Sequence, residues 1–511
     1  MASQRPARLR SANARLAHWL RFCYLAKVFI EPLGCGVRQQ IAQHPFGIAK
    51  EGFADTDVLS KPGTVRSLYD PTAGTGGMLS IAEEYLRALN PKAELVVYGQ
   101  ELNPESYAIC KADMLIKGQD VSNIVFGNTL SNEGHVGETF DYGLANPPFG
   151  VEWKKVEKEV RDEYEKKGHH GRFGAGLPRV SDGSLLFLMH LLSKMRRPSE
   201  GGGRMGIVLN GSPLFTGGAG SGESDIRKWI IENDWLEAIV ALPTDMFYNT
   251  GISTYIWVLT NHKRPERKGK VQLVNAVEFF QKMRKSLGAK RKELGEADIE
   301  RIVKLYGAFE TNEWSKVFDN DDFGYRSITV ERPLRLNFAV NPPRLARLDE
   351  VTALTKLGKD LPKLKAALGA LDAATVWKAR EPFQKALRQA LDTAKVSLPP
   401  PAAKALLQTL SERDENAEVC ADNKGNPEPD ADLRDTENVP LKDDVQAYFE
   451  REVLPHAPDA WIDHEKTKVG YEIPFTRHFY KYVPPRPLEV IDGELKALAG
   501  EIMGLLREVT S

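Results

Sequence analysis

Short apolar strands alternate with helices between residues 66 and 260, and this alternation constrains the fold more than any other feature. The strand segments include SLYD (67–70), LVVYGQE (95–101) and GRMGIVLNG (203–211), and helical segments separate them. Near-continuous apolar runs are typical of strands that are buried on both faces of a sheet. The pattern therefore predicts an α/β fold, with helices covering both faces of a mainly parallel sheet.

The chain has a different character beyond residue 340. Residues 341–415 are rich in Leu, Ala and Lys and predict helices, whereas the polar, acidic stretch 411–442 predicts an exposed loop. Residues 488–509 have apolar side chains at helical spacing, which predicts an amphipathic helix that pairs with another surface.

Charge, cysteine content and hydropathy argue against nucleic-acid binding through bulk charge, a zinc site and a membrane span. The formal net charge is −1, so binding to nucleic acid requires a local basic patch or a basic partner. Cys23, Cys35, Cys110 and Cys420 show no metal-binding spacing, which predicts reduced thiols in a cytoplasmic protein and no zinc site. No apolar run has the length of a membrane span, so we expect no membrane partner.

The segment DPTAGTGGML (70–79) follows a predicted strand and opens a predicted helix. Its glycines permit a tight turn and close approach of a ligand, although the third glycine of the dinucleotide fingerprint is missing. Glu101 ends the next strand, where a carboxylate can accept hydrogen bonds from both hydroxyls of a ribose. Together these features predict an adenosine-containing cofactor and leave NAD and S-adenosylmethionine both open.

The segment DYGLANPPFG (141–150) distinguishes between these cofactors. The prolines end the strand and hold Asn146 in an extended conformation at its tip. The Asn146 amide oxygen and the adjoining carbonyl suit an exocyclic amino group, whose lone pair is then exposed for attack on a methyl group. Phe149 can stack on the ring that carries the amine, and stacking contributes about 1–3 kcal/mol. A base must leave the duplex to reach such a site, so S-adenosylmethionine and a flipped-out base are favoured.

These segments, with GNTL (127–130) and IVALPTDMFYNTGISTYIWVLT (239–260), resemble the modification (HsdM) subunits of type I restriction–modification systems. Those subunits methylate adenine N6 in DNA. The resemblance implies a Rossmann-like S-adenosylmethionine-dependent methyltransferase sheet with one antiparallel strand near its edge, followed by a mainly helical C-terminal region. The catalytic residues that it implies are Asn146, Pro147, Pro148 and Phe149. The cofactor-binding residues that it implies are Asp70, Thr72, Ala73, Gly74, Gly76, Glu101 and Asn128.

The resemblance also implies partners and domains. Two modification subunits join one specificity subunit in this family, so the expected partners are DNA, a specificity subunit, a second copy of the chain and a restriction (nuclease/translocase) subunit. The C-terminal helices, including 488–509, are candidates for docking. We predict a divergent N-terminal segment (1–58), a methyltransferase catalytic domain (59–340) and a helical C-terminal region for subunit docking (341–511).

Two alternatives remain open from the sequence. An asparagine followed by two prolines suits any planar amine, so an RNA base or a protein glutamine is another possible substrate. The family has a longer helical domain and a cofactor-closing element before the sheet, neither of which residues 1–58 resemble. We therefore expect a divergent or truncated N-terminus, and a non-catalytic assembly subunit is the second alternative.

Overall fold

A nine-stranded mixed sheet forms the centre of the computed structural model, which describes residues 64–247, 250–422, 424–482 and 484–510. The predicted segment 1–58 lies outside these ranges. The strands of the sheet are β1 (Val65–Asp70), β2 (Glu94–Glu101), β3 (Ile124–Phe126), β4 (Tyr142–Ala145), β5 (Arg204–Asn210), β6 (Leu236–Ala241), β7 (Thr254–Thr260), β8 (Lys270–Asn275) and β11 (Ser315–Asp319). Strands β9 (Gln281–Leu287) and β10 (Lys290–Glu293) form a separate antiparallel hairpin.

The strand order is β11-β8-β6-β7-β5-β4-β1-β2-β3. Strands β1 to β5 pair in parallel, as do β6 and β8. Strand β7 is antiparallel to both of its neighbours, β5 and β6. The predicted Rossmann-like methyltransferase sheet with an antiparallel strand is therefore confirmed, and β11 adds a second antiparallel strand at the edge.

Helices cover both faces of the sheet. Within this part of the chain they are α1 (Gly77–Leu89), α2 (Pro104–Ile116), α3 (Glu157–Lys167), α4 (Ser184–Ser193), α5 (Ser212–Phe215), α6 (Gly222–Glu232) and α7 (Glu296–Ala308). Successive residues of β7 enter opposite cores: Ile256 and Val258 pack on one face, and Trp257 and Leu259 on the other. A strand buried on both faces has no polar side to display, which explains the continuous apolar runs in the sequence.

The region beyond residue 340 is helical, as predicted, and also contains strands. Its helices are α8 (Pro342–Ala346), α9 (Thr352–Thr355), α10 (Leu361–Leu368), α11 (Arg380–Thr393), α12 (Pro400–Thr409), α13 (Val445–Tyr448), α14 (Phe475–Phe479) and α15 (Leu488–Thr510). The remaining strands are β12 (Gly324–Glu331), β13 (Leu336–Phe338), β14 (Ser411–Arg413), β15 (Asp435–Pro440) and β16 (Trp461–Tyr471). No helix in the described ranges is both long enough and apolar enough to cross a membrane.

The prediction that 411–442 is an exposed loop is wrong in part. Strand β14 pairs with β13, and β15 pairs with β12 in a three-stranded sheet, β15-β12-β16. Strand β15 lies at the edge of that sheet, so most of its polar side chains face solvent while Val439 is buried. An edge strand satisfies its backbone on one side only and can be polar in composition, which conceals it in the sequence.

Removal of the Trp257 side chain tests how much the apolar core on one face of the sheet contributes to stability. Trp257 is completely buried in the antiparallel strand β7. We expect Trp257→Ala to lower the free energy of unfolding by about 3–5 kcal/mol, because it leaves a large cavity. Urea unfolding followed by circular dichroism measures this change. Tyr480→Ala is the control, since that ring is 69% exposed; equal losses in the two variants would contradict the description of the core.

Candidate active site

The carboxyl ends of β1, β2 and β4 lie side by side, at the point where the strand order reverses. Strand β1 pairs with β2 on one side and with β4 on the other. Asp70 ends β1, Glu101 ends β2 and Asn146 directly follows β4. Ligands of open parallel sheets bind in the crevice at such a switch point. The fold thus brings three widely separated sequence segments to one place.

The glycine-rich loop after β1 folds onto the end of β2. Gly74 N–H donates to Glu101 Oε2 over 2.8 Å, and Ala73 N–H donates to the Gln100 carbonyl over 3.0 Å. Gly74 has a φ of 56°, a left-handed conformation that favours glycine. Two backbone N–H groups therefore hold the loop against β2, in a conformation that favours glycine at position 74.

The Glu101 carboxylate is fixed from two sides. Besides the bond from Gly74, the N–H of Asn103 donates to Glu101 Oε1 over 2.6 Å. Each carboxylate oxygen accepts one backbone hydrogen bond and keeps a second lone pair. The half-buried carboxylate is therefore oriented in advance and can accept two further hydrogen bonds from a ligand.

The Asp70 carboxyl is almost completely buried, with 1% of its surface exposed. Thr72 donates to Asp70 Oδ1 from its backbone N–H over 2.9 Å and from its hydroxyl over 3.3 Å. Burial raises the pKa of Asp70 to about 7, and the Thr72 bonds only partly offset this. The Asp70 carboxylate forms no salt bridge with a described residue, so a cationic ligand would supply the missing counter-charge.

Gly76, which the resemblance predicts to be a cofactor-binding residue, has a packing role in the structure. It has a φ of 83°, and a Cβ atom at this position would lie 2.9 Å from the Cys110 sulfur and 3.2 Å from Met114 Cε. Both side chains belong to α2. Gly76 therefore lets the start of α1 pack against α2, and its missing side chain faces the core.

The loop after β3 lies against the loop after β1. The Thr129 hydroxyl donates to the Pro71 carbonyl over 2.5 Å. Asn128 Oδ1 accepts a hydrogen bond from the N–H of Leu130, over 2.9 Å, which shapes the turn. These contacts place Asn128 beside the glycine-rich loop, on the same edge as Glu101.

Asn146 carries an unused acceptor. Its Oδ1 atom is buried and accepts no hydrogen bond from any residue that the structure describes. A buried polar atom without a partner costs about 1–3 kcal/mol, so this acceptor is available to a hydrogen-bond donor from outside the described residues. Pro147 is buried and Pro148 is exposed. The half-buried Phe149 ring meets the Phe247 ring edge to face, with 5.1 Å between centroids.

Sequence reasoning missed Arg172, whose guanidinium reaches the loop after β3. Arg172 donates to the carbonyls of Thr129 and Leu130 over 2.7 and 2.9 Å. It also pairs with both carboxylate oxygens of Glu163, on α3, at 3.1 and 2.6 Å. Arg172 therefore ties the 151–183 insertion to the loop that carries Asn128. The sequence signal is weak, because Arg172 is one arginine between two glycines in a segment with many charged residues.

His190 completes this buried connection. Arg172 Nη1 lies 3.1 Å from His190 Nδ1, and because Arg172 can only donate, Nδ1 is the acceptor. The proton then lies on Nε2, which is 3.0 Å from the hydroxyl of Tyr69. Burial, reinforced by the Arg172 charge, holds the pKa of His190 well below its ordinary value. His190 is therefore a neutral link, and its position away from the strand tips indicates a supporting role.

Comparison with known proteins assigns the family. The N-6 DNA Methylase family model matches residues 56–332. The chain belongs to this family. The match includes every described residue of the candidate site, from Asp70 to Phe149. Among the described residues of this member of the N-6 DNA methylase family, no group of three His, Cys, Asp or Glu side chains is placed to hold a metal ion.

Similar curated proteins include methylase subunits of type I restriction enzymes. The MjaIX subunit of Methanocaldococcus jannaschii is 29% identical over 294 residues, which is 56% of this chain and 49% of the relative. The MjaVII subunit of the same organism is 30% identical over 256 residues, 50% of this chain and 42% of the relative. The predicted resemblance is thus confirmed, and the chain spans about half the length of these relatives.

A solved structure is also similar. It is the methyltransferase subunit of a type I restriction-modification system from Streptococcus thermophilus, with 24% sequence identity and a TM-score of 0.45. The match covers 58% of this chain and 54% of that chain. The methyltransferase fold of this chain rests on its own strand order and on the family match.

A conservative change at Arg172 tests the connection between the insertion and the methylase loops. Arg172→Lys keeps the charge but loses the planar fork that bonds two carbonyls and a carboxylate. We expect amide hydrogen exchange over residues 128–134 to become about tenfold faster, since about 1.4 kcal/mol of the loop's opening free energy is lost. The control is Arg161→Lys, whose exposed pair with Glu157 lies on the same insertion. Unchanged exchange in Arg172→Lys would contradict the role.

Proposed function

We propose that the chain is the modification subunit of a type I restriction–modification complex and transfers a methyl group from S-adenosylmethionine to N6 of a flipped-out adenine in DNA. The observation that carries the proposal is the buried, unpartnered Oδ1 of Asn146 at the edge where Asp70 and Glu101 also end their strands. An acceptor there suits an amino group, and the neighbouring carboxylates suit a cationic nucleoside.

The residues present fit this cofactor. Asp70, buried without a counter-ion, would hold the ammonium group, and Glu101 would accept hydrogen bonds from the ribose hydroxyls. Asn128 would lie near the adenine. When bound, S-adenosylmethionine supplies an electrophilic methyl group on a positively charged sulfur. The other residues that would line the pocket are Thr72, Ala73 and Gly74.

Asn146 would activate the amino group of the substrate. Its Oδ1 atom and the adjoining main-chain carbonyl would accept the two amino hydrogens, which directs the nitrogen lone pair towards the methyl carbon. The amino nitrogen would then accept the methyl group that the cofactor supplies and would release one proton. An amide is not a base at neutral pH, so this proton passes to water. Phe149 would stack on the base, braced by Phe247.

The proposed partners follow from the assignment as a type I modification subunit. They are DNA, a specificity subunit, a second copy of the chain and a restriction subunit, in the cytoplasm. In support, α15 exposes an apolar row that includes Leu495, Leu498 and Ile502, each at least 49% exposed, and such a row suits a helical partner. We propose 59–340 as the methyltransferase domain and 341–511 as the docking region.

The comparisons do not favour the alternative functions. A methyltransferase for RNA or a protein glutamine would share the Asn146 acceptor, but the matching family is described as a DNA methylase. A non-catalytic assembly subunit would have no need of a buried carboxyl and an unpartnered acceptor at one sheet edge. Both alternatives are outcomes of the tests below.

Removal of the Asn146 amide tests the catalytic role. We expect Asn146→Ala to lower the rate of methyl transfer to unmethylated DNA, in the presence of the specificity subunit, by about 10²–10³-fold. Cofactor affinity, measured by calorimetry, should change little, because Asn146 lies on a different strand from Asp70 and Glu101. Asn438→Ala is the control, since Asn438 is exposed on β15. Retained transfer activity in Asn146→Ala would refute the assignment, and transfer only to RNA or protein would favour the alternative substrate.

The pH dependence of cofactor binding tests Asp70. In the free protein the pKa of Asp70 is raised to about 7, so the carboxyl carries a proton below that pH. A cation needs the carboxylate, so binding releases a proton and the affinity falls by up to about tenfold per pH unit below pH ~7, with a plateau above. Calorimetry in buffers of different ionisation enthalpy measures the released proton. Asp70→Asn should bind weakly at every pH. The control is Asp162→Asn, on α3 with its side chain 45% exposed, which should behave like the unaltered chain. Binding without proton release would contradict this account.

A further inference from the structure

The β9–β10 hairpin concentrates positive charge in a chain whose formal net charge is −1. Between Gln281 and Glu293 the only acidic residue is Glu293 itself. The basic residues of the hairpin are Lys282, Arg284, Lys285, Lys290, Arg291 and Lys292. The hairpin is therefore the kind of local basic patch that a nearly neutral nucleic-acid-binding protein requires.

Four of these cations have no side-chain partner in the part of the chain that the structure describes. Lys282, Arg284, Lys285 and Arg291 are exposed, and their side chains form no salt bridge or hydrogen bond with a described residue. In addition, Lys282 lies directly opposite Lys292 in the strand pairing. Like charges in opposed positions destabilise a hairpin, so fold stability does not explain this pattern. An anion from outside the chain would relieve the repulsion.

The hairpin is attached to the edge of the sheet that carries the candidate site. The N–H groups of Arg291 and Lys292 donate to the Asp245 carbonyl over 2.9 and 3.2 Å. Asp245 follows β6 and lies two residues before Phe247, whose ring contacts Phe149. Backbone bonds thus fix the basic hairpin to the loop that supports the Asn-Pro-Pro-Phe segment.

We propose that the β9–β10 hairpin binds the phosphate backbone of the DNA beside the base that enters the Asn146 site, an inference that rests on the proposed function. Side chains on one face of a strand recur about every 7 Å, so Lys282 and Arg284 can contact successive anionic groups. Duplex DNA offers one negative charge per ~1.7 Å of its axis. An acidic protein surface would also attract these cations, but the attachment to the loop behind Phe149 favours the substrate.

Charge neutralisation tests the proposal on the full chain. The test variant is Lys282→Gln/Arg284→Gln/Lys285→Gln. The matched control is Lys385→Gln/Arg388→Gln/Lys404→Gln, which removes the same charge from exposed positions of α11 and α12. Fluorescence anisotropy with a short labelled duplex measures affinity over a salt series. Each lost phosphate contact lowers the slope of log K against log salt by about 0.9.

In the hairpin variant, we expect the slope of log K against log salt to fall by about 2–3 and the DNA affinity at low salt to fall at least about tenfold. The affinity of the control variant should stay within about twofold of that of the unaltered chain. The thermal unfolding midpoint of the hairpin variant should be unchanged or slightly raised, because the repulsion between positions 282 and 292 is removed. An unchanged slope, equal losses in both variants, or no DNA binding by the unaltered chain would each overturn the proposal. The proposal would also be overturned if the hairpin variant still bound DNA normally but no longer bound an acidic partner protein.

The same preparations separate this inference from the proposed function. Cofactor binding and methyl transfer by the unaltered chain test the function and do not involve the hairpin variant. The difference in salt slope between the two variants tests the hairpin and requires no catalysis. A chain that transfers methyl groups but shows no such difference refutes only the hairpin.

Discussion

The candidate site depends on the pairing of β1 with β2 on one side and with β4 on the other. Leu68 and Tyr69 of β1 are in register with Tyr142 and Gly143 of β4, and Asp70 is in register with Gly99 of β2. This parallel register brings the ends of the three strands to one edge. Crossover helices on the two faces keep the strands parallel, so the buried cores and the position of the site have one cause.

Much of this arrangement was predictable because it follows from local sequence. A strand buried on both faces is nearly continuously apolar, so its end can be located in the sequence. The sequence placed Asp70 and Glu101 at the ends of strands and Asn146 directly after one, as the structure has them. Their roles in binding cofactor and substrate stay predictions.

The features that escaped prediction depend on contacts between distant residues. Arg172 bonds to carbonyls more than 40 residues earlier, and no spacing within its own segment indicates that target. Gly76 belongs to the glycine-rich loop. Its missing side chain also leaves room for the Cys110 sulfur on the next helix. Strand β15 is polar because it is an edge strand, and only its pairing with β12 identifies it. In each case the partner, rather than the residue type, defines the role.

Asp70 lacks a counter-charge, Asn146 Oδ1 lacks a donor, and four hairpin cations lack an anionic partner, all among the described residues. These three features place different demands on the free protein. Asp70 can take up a proton, so its isolation costs little below neutral pH and makes cation binding depend on pH. Asn146 Oδ1 cannot be protonated in this range, so its cost persists until a donor arrives and depends on neither pH nor salt. The hairpin cations are hydrated and screened by counter-ions, so their repulsion is modest and any binding that they support depends on salt. The proposed recognition of cofactor, base and DNA backbone would therefore depend on pH, on neither variable and on salt, respectively. Changes in pH and ionic strength can distinguish the three interactions.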